Sequence, residues 1–425
     1  MKLAVVGGGS TYTPELVAGL ARERERLELN DVVLHDIDPE RREVVGGLAG
    51  RMLDAAGYDG ELSVTDDLDR ALDGASFVLI QLRVGGQQAR LSDETIPLAC
   101  GCIGQETTGA GGLAKALRTV PVVLEIAARA REFAADDAWI VDFTNPVGIV
   151  TRSLLDAGHR AVGLCNVAIG LQRFTAKLLE VEPERILVDQ VGLNHLTWVR
   201  ALRLDGSDVL PDLLRDHGDT LAEHVDLPRS LLERLEVVPS YYLRYFYLHD
   251  EVLASQLTGK PRAAEVAEIE RELLELYRDP ALTTKPKLLE RRGGAFYSEA
   301  ATQLVASLAS DAGDTQVVDV RNKGTIAGLA DDDAVEVPAR ITARGPEPRE
   351  QAPLAPELLG LVQHVAAYER LAAAAAVSGD RELVYKALLV HPLVGQVPPV
   401  EELTEQLLAA DREHLPQFES PEAVA

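Results

Sequence analysis

The sequence predicts an α/β fold: a Rossmann-like, doubly wound parallel sheet, followed by a mixed α+β, largely helical second half. Three observations carry that prediction. Short apolar runs recur at 3–6, 31–34, 62–65, 77–82, 139–143 and 161–164, as in strands buried on both faces. Helical patterns separate most of them, and strands alternating with helices predict a parallel sheet. The first run leads into a glycine turn and a helix start, Gly7-Gly8-Gly9-Ser10-Thr11 and then Thr13-Pro14.

In order, residues 3–6 form the first strand, and Pro14 suits the first turn of a helix capped by Thr13. Strand, glycine turn and helix together make the context of a dinucleotide pyrophosphate site, because the helix N-terminus offers backbone N–H groups to an anion. Gly7 and Gly9 match the G-x-G-x-x-G spacing, but Tyr12 stands where the third glycine belongs, so a purely structural turn is the alternative reading. The second run ends His35-Asp36-Ile37-Asp38. A carboxylate at that strand end accepts hydrogen bonds from ribose hydroxyls and repels a 2′-phosphate, so Asp36 points to NAD over NADP. Asp38-Pro39 reads as the cap of a helix over 39–56. A strand over 62–65, a short helix over 66–72, and strands over 77–82, 139–143 and 161–164 complete the series.

Ligands of such sheets bind beyond the carboxyl ends of the strands. Ser10, Thr11, Asp36, Arg83, Asn145, Cys165 and Asn166 all fall at those ends. Between Arg83 and Arg118 lies a long glycine-rich connection containing Arg90 and Glu106, which reads as an ordered functional loop. Either residue is as readily a solvated surface charge as a site residue. Cys165 and His195 bring a thiol and an imidazole close in sequence and suggest one divalent metal. Two ligands are few, however, and a buried thiol with a hydrogen-bonded loop histidine explains the spacing at least as well.

After His195 the alternation stops. Residues 197–204 read as a strand, and four of the ten tyrosines crowd into 241–247, a cluster more typical of a core than of chemistry. Lys260-Pro261-Arg262 and Arg291-Arg292-Gly293-Gly294 precede helices over 263–277 and 295–309 and suit an anion. Residues 315–320 read as a strand, and 357 onward as helix broken near Gly379 and His391-Pro392, with a loose tail over 419–425. The division predicted is 1–195, an NAD-binding unit, and 196–425, a substrate and catalytic unit, with the site between them.

A net charge of −26 over 425 residues argues against a nucleic-acid partner and requires a local cationic pocket for any anionic substrate. Three cysteines make no disulfide framework. No charged-then-apolar leader and no apolar run of spanning length predict a cytoplasmic protein with no membrane partner.

Gly7-Gly8-Gly9-Ser10-Thr11, Gln105-Glu106-Thr107-Thr108-Gly109, Asn145-Pro146, Gly163-Leu164-Cys165-Asn166, Gly192-Leu193-Asn194-His195, Tyr242-Leu243-Arg244-Tyr245 and Pro261-Arg262 follow one another in one order. That ordered set resembles glycoside hydrolase family 4, most like its 6-phospho-β-glucosidase branch, over roughly the first three quarters of the chain. The resemblance implies hydrolysis by redox elimination. NAD takes a hydride from C3 of the sugar, a tyrosine takes the acidified C2 proton, the C1 leaving group departs, water adds, and the hydride returns. It implies Mn²⁺ or a similar cation on Cys165 and His195, Tyr242 as the base with Glu106 supporting it, and Arg90, Asn145, Asn166 and Arg262 as substrate contacts. It also implies NAD on Gly7, Gly9, Ser10, Thr11 and Asp36. Asn166 is an amide where α-acting relatives carry an acid, which favours a β-linked phosphorylated disaccharide or glucoside. A homodimer or homotetramer is the expected assembly. The alternatives are a relative acting on plain or α-linked glycosides, and an NAD-dependent hydroxy-acid dehydrogenase.

Overall fold

A computed structural model describes residues 1–294 and 296–419. Thirteen strands join one sheet: β1 Lys2–Val6, β2 Asp31–His35, β3 Glu61–Thr65, β4 Phe77–Ile80, β5 Trp139–Asp142, β6 Ala161–Gly163, β7 Ile186–Leu193, β8 Leu196–Leu204, β9 Ser207–Asp208, β10 Val238–Pro239, β11 Thr315–Arg321, β12 Ala334–Thr342 and β13 Gly345–Pro348. Its parallel half runs β3-β2-β1-β4-β5-β6, the doubly wound order with its switch between β1 and β4. The inner strands read as unbroken apolar runs because helices cover both faces. The four residues of β4 are all buried, as are those of β5.

Beyond β6 the sheet turns antiparallel, in the order β11-β12-β7-β8-β10. β7 and β8 form a hairpin whose turn is Asn194-His195, so residue 195 lies inside a hairpin of a sheet that continues across it. β11 and β12 come from far along the chain and insert between β6 and β7.

Several elements differ from the sequence reading. The connection from Arg83 to Arg118 is mostly helix, Gly86–Ala99 and the start of Gly109–Phe133. Its glycines serve close packing: a Cβ on Gly111 would sit 2.4 Å from the carbonyl oxygens of both Asp93 and Gln105. Thr13 is the first residue of helix Thr13–Arg22 and does not cap it; its hydroxyl donates to the Gly8 carbonyl at 2.8 Å. β12 escaped the sequence reading because Glu336 and Pro338 break its apolar run, although both are buried. Of the tail expected over 419–425, residues 420–425 lie outside the described residues.

Candidate active site

A cavity of about 1060 Å³ opens beyond the carboxyl ends of the parallel strands. Of the residues expected from sequence, Gly7, Ser10, Asp36, Arg90, Glu106, Asn145, Asn166, Tyr242 and Arg262 line it.

On the nucleotide side, Gly7 has φ +88° and a Cβ there would meet the Gln81 carbonyl oxygen at 2.4 Å, so only glycine fits. The Gly7 and Gly8 N–H groups both donate to the His35 carbonyl, tying the turn to the end of β2. The Gly9 N–H donates to Asp36 Oδ2 at 2.8 Å, and Asp38 N–H to Asp36 Oδ1 at 3.0 Å. A carboxylate has about four acceptor positions, so Asp36 keeps capacity for a ribose. Tyr12 precedes helix Thr13–Arg22, where the N–H groups of Ser10, Tyr12, Thr13 and Glu15 donate to Gly7 O, Ser10 Oγ, Ser10 O and Tyr12 O and Pro14 has none, so the helix start faces the cavity with its dipole more than with open donors. These features fit a dinucleotide. Thr11 turns away from the cavity. It is fully buried and its hydroxyl donates to Glu270 Oε1 at 3.2 Å, on a carboxylate that Arg41 and Arg292 also hold.

On the reaction side, Cys165 follows β6 and His195 turns the β7–β8 hairpin with φ +63°, a conformation rare for histidine. Both are buried, and neither ring nitrogen of His195 has a hydrogen-bond partner. Burial lowers its pKa to about 3, with Lys115 adding to the effect and Glu106 opposing it, so the imidazole is neutral. Burial, with Glu336 and Asp319 behind it, pushes the Cys165 thiol up. A neutral imidazole with unpartnered nitrogens beside a thiol that needs a cation to ionise fits a divalent metal. Among the described residues no group of three or more His, Cys, Asp or Glu is placed to hold a metal.

Two phenols flank these two residues. The Tyr242 ring lies on His195, centroids 3.6 Å apart and planes within 14°. The Tyr297 hydroxyl is 3.8 Å from Cys165 Sγ and within hydrogen-bond reach of Asn145. Burial raises the Tyr242 phenol well above its usual value, reinforced by Tyr241. Asn166 stands next to Cys165 at the N-terminus of helix Val167–Leu179.

Glu106 spends its oxygens on Arg83, on Arg90 at 3.2 Å and on Lys115 at 2.6 Å. Burial alone would raise its pKa; Arg83, Lys115 and Arg90 together hold it well below the usual carboxylate range. Arg90 also pairs with Glu94 at 2.8 Å. Lys115 is buried, and desolvation beside Arg83 lowers it to about 7 against the pull of Glu106. Arg262 is the most exposed of the set, pairing with Glu265 at 2.5 Å and donating to the Arg291 carbonyl. Sequence reasoning missed Lys115, Tyr297 and Glu270; Arg292, read as suiting an anion, pairs with Glu270 at 2.8 Å. Lys115 lies nine residues after Glu106 on a helix that went unread, and Tyr297 carries no local signal at all.

The pattern described as "Family 4 glycosyl hydrolase" matches residues 2–181, and that of the "Family 4 glycosyl hydrolase C-terminal domain" matches 190–394. The chain belongs to the family 4 glycosyl hydrolases. It is 42% identical over 434 residues to a probable 6-phospho-β-glucosidase of Bacillus subtilis (strain 168), covering 98% of each chain. It is 35% identical over 436 residues to a 6-phospho-β-glucosidase of Escherichia coli (strain K12), covering 98% of this chain and 97% of that one. The structure of the 6-phospho-β-glucosidase from Thermotoga maritima with manganese, NAD⁺ and glucose-6-phosphate superposes with a TM-score of 0.92 at 35% identity, over 97% of this chain and 99% of that one.

Proposed function

We propose that the protein is a 6-phospho-β-glucosidase that cleaves O-glycosidic bonds by redox elimination and addition, with NAD and a divalent metal as cofactors. The observation that carries this reading is the buried Tyr242 phenol lying on His195 beside Cys165, at the cavity the glycine turn opens. Direct displacement would need two free carboxyl groups. Glu94, Glu106 and Glu270, the glutamates that line the cavity, are each held by arginine.

When bound, NAD supplies a reversible hydride acceptor, and a divalent metal such as Mn²⁺ supplies a Lewis acid for the sugar oxygens. Cys165 and His195 hold the metal; Gly7, Gly9, Ser10 and Asp36 hold the nucleotide, with Thr11 bracing it through Glu270. Burial keeps the Tyr242 phenol protonated, so it would have to be ionised by the charge of a cation held on Cys165 and His195 before Tyr242 Oη takes the C2 proton; its stacking on His195 fixes the direction of approach. Glu106 orders Arg83, Arg90 and Lys115 around the sugar, while Asn145, Asn166 and Arg262 complete its contacts. In this division residues 1–195 carry the cofactor side and the cations Arg83, Arg90 and Lys115, and 196–425 carry the base and Arg262. Asn166, an amide beside Cys165, supports the β-linked substrate.

The acidic chain attracts a sugar phosphate only where cations cluster, and Arg83, Arg90, Lys115 and Arg262 make such a region. The protein acts in the cytoplasm as a homodimer or homotetramer. Light scattering tests the assembly. Nitrophenyl β-glucoside and its 6-phosphate, assayed with NAD, Mn²⁺ and a thiol, test the activity. Cleavage of the phosphorylated substrate without net NADH is expected. Equal rates on both substrates would remove the phosphate pocket, and stoichiometric NADH would make the protein a dehydrogenase.

A further inference from the structure

Four strands carry one row of residues across the sheet beneath the site. Gly163 of β6 pairs with Asp319 of β11, Asp319 with Glu336 of β12, and Glu336 with Gly192 of β7. β6 runs on to Cys165 and β7 to His195, so the row lies behind both ligands. Cross-strand partners in register project to the same face, which brings the Asp319 and Glu336 carboxyls together between two glycines. Both are fully buried, at 0% and 1% exposure.

Glu336 accepts hydrogen bonds from Gln190 Nε2 and, at 2.9 Å, from Asn194 Nδ2, the residue before His195. Neither carboxyl oxygen of Asp319 receives a donor from elsewhere. Two carboxyls in contact without a cation need a proton between them. Burial, followed by the Glu336 charge, raises Asp319 well above the usual range, and burial raises Glu336 to about 7 against its hydrogen bonds. The other acids facing them, Asp142 and Glu369, are raised by burial to about 8 and stay protonated at neutral pH. Arg152, the cation acting on Glu369, is itself paired with Asp332 and Asp333. The row is no metal site of its own, because no group of three or more ligating side chains among the described residues could hold a cation.

We propose that Asp319 and Glu336 form one positioning pair for the metal, holding a single shared negative charge behind Cys165 and, through Asn194, setting the turn that aims His195. A divalent cation with one thiolate and one neutral imidazole carries a net charge of +1. One carboxylate behind it makes the buried site neutral, which the low-polarity surroundings demand. The inference rests on Cys165 and His195 as the metal ligands.

The test titrates Mn²⁺ into the purified protein and follows free Mn²⁺ by electron paramagnetic resonance, with NAD binding and the melting curve measured on the same samples. Asp319→Asn and Glu336→Gln each leave one carboxyl to carry the charge, so each keeps Mn²⁺ affinity within about threefold. The double variant has none and weakens Mn²⁺ 10- to 100-fold, the usual effect of outer-shell partners, with NAD binding unchanged. Asp319→Leu/Glu336→Met gives a second charge-free version of similar volume, since buried ionic groups often tolerate apolar replacement. Full Mn²⁺ affinity in either folded double variant would overturn the proposal. So would a tenfold loss in one single variant with NAD binding intact, because a merely structural role acts through single bonds. Cys165→Ser separates the two failures: if it too keeps full Mn²⁺ affinity, the ligand assignment itself is wrong.

Discussion

Replacing Glu106 with Gln removes the one carboxylate that faces Arg83, Arg90 and Lys115 at once. Arg90 keeps Glu94, but Lys115 is buried and has no other anionic contact within ion-pair distance among the described residues. Breaking a buried ion pair typically costs about 3–5 kcal/mol. Part of that is recovered, because Lys115 already titrates near 7 and sheds its proton once the carboxylate is gone. The lower end, about 3 kcal/mol, is therefore expected. For 425 residues the entropy of unfolding is about 0.9 kcal/mol/K, so the melting temperature should fall by about 3–4 °C. The Glu106 pKa is lower folded than unfolded, so its contribution is present above the unfolded carboxylate value of about 4.3 and disappears only as pH falls through the folded value. The loss in the variant should accordingly be constant from pH 6 upward until Lys115 titrates. Melting curves at pH 6.0 and 6.5 are the assay. A folded variant within 1 °C of the parent would show that the three cations are solvated without Glu106 and that the network does not organise the site.

Lys115 has a folded pKa below its unfolded value, so its charge penalises the fold below about pH 7, and the penalty fades toward about pH 10. Denaturant midpoints should rise between pH 7 and 9.5 in the parent and flatten in Lys115→Met; parallel slopes would contradict this. Asp36→Ala removes both the ribose acceptor and the anchor of the Gly9 N–H, so NAD should weaken and the preference over NADP should relax; calorimetric titration of both nucleotides decides. Tyr242→Phe keeps the ring on His195, so NAD and Mn²⁺ binding should survive while cleavage is lost. Turnover of the parent enzyme in heavy water should place deuterium at C2 of the released sugar, and a product without it would refute elimination.

Much of the parallel half was legible in the chain because its signals are local. Unbroken apolar runs such as 77–80 mark strands buried on both faces, and a triple glycine between strand and helix marks a turn with no room for side chains. Asp36 and Cys165 could be placed at strand ends for the same reason. The Gly109–Gly112 stretch misled because its glycines answer a helix–helix approach made by Asp93 and Gln105, which local composition reads as a loop. Tyr242 over His195, Tyr297 beside Cys165 and three cations on Glu106 join residues from separate elements, and no periodicity encodes such meetings. β12 illustrates the cause: Glu336 looks like a surface residue until Gln190 and Asn194, more than a hundred residues earlier, supply its hydrogen bonds. Its chemistry and that of β11 decided the centre of the molecule, since their insertion sets the strands leading to Cys165 and His195 in one sheet with two strands between them. The sequence alone determined which strands exist in the parallel half; pairing energies summed over distant residues decided which strands became neighbours.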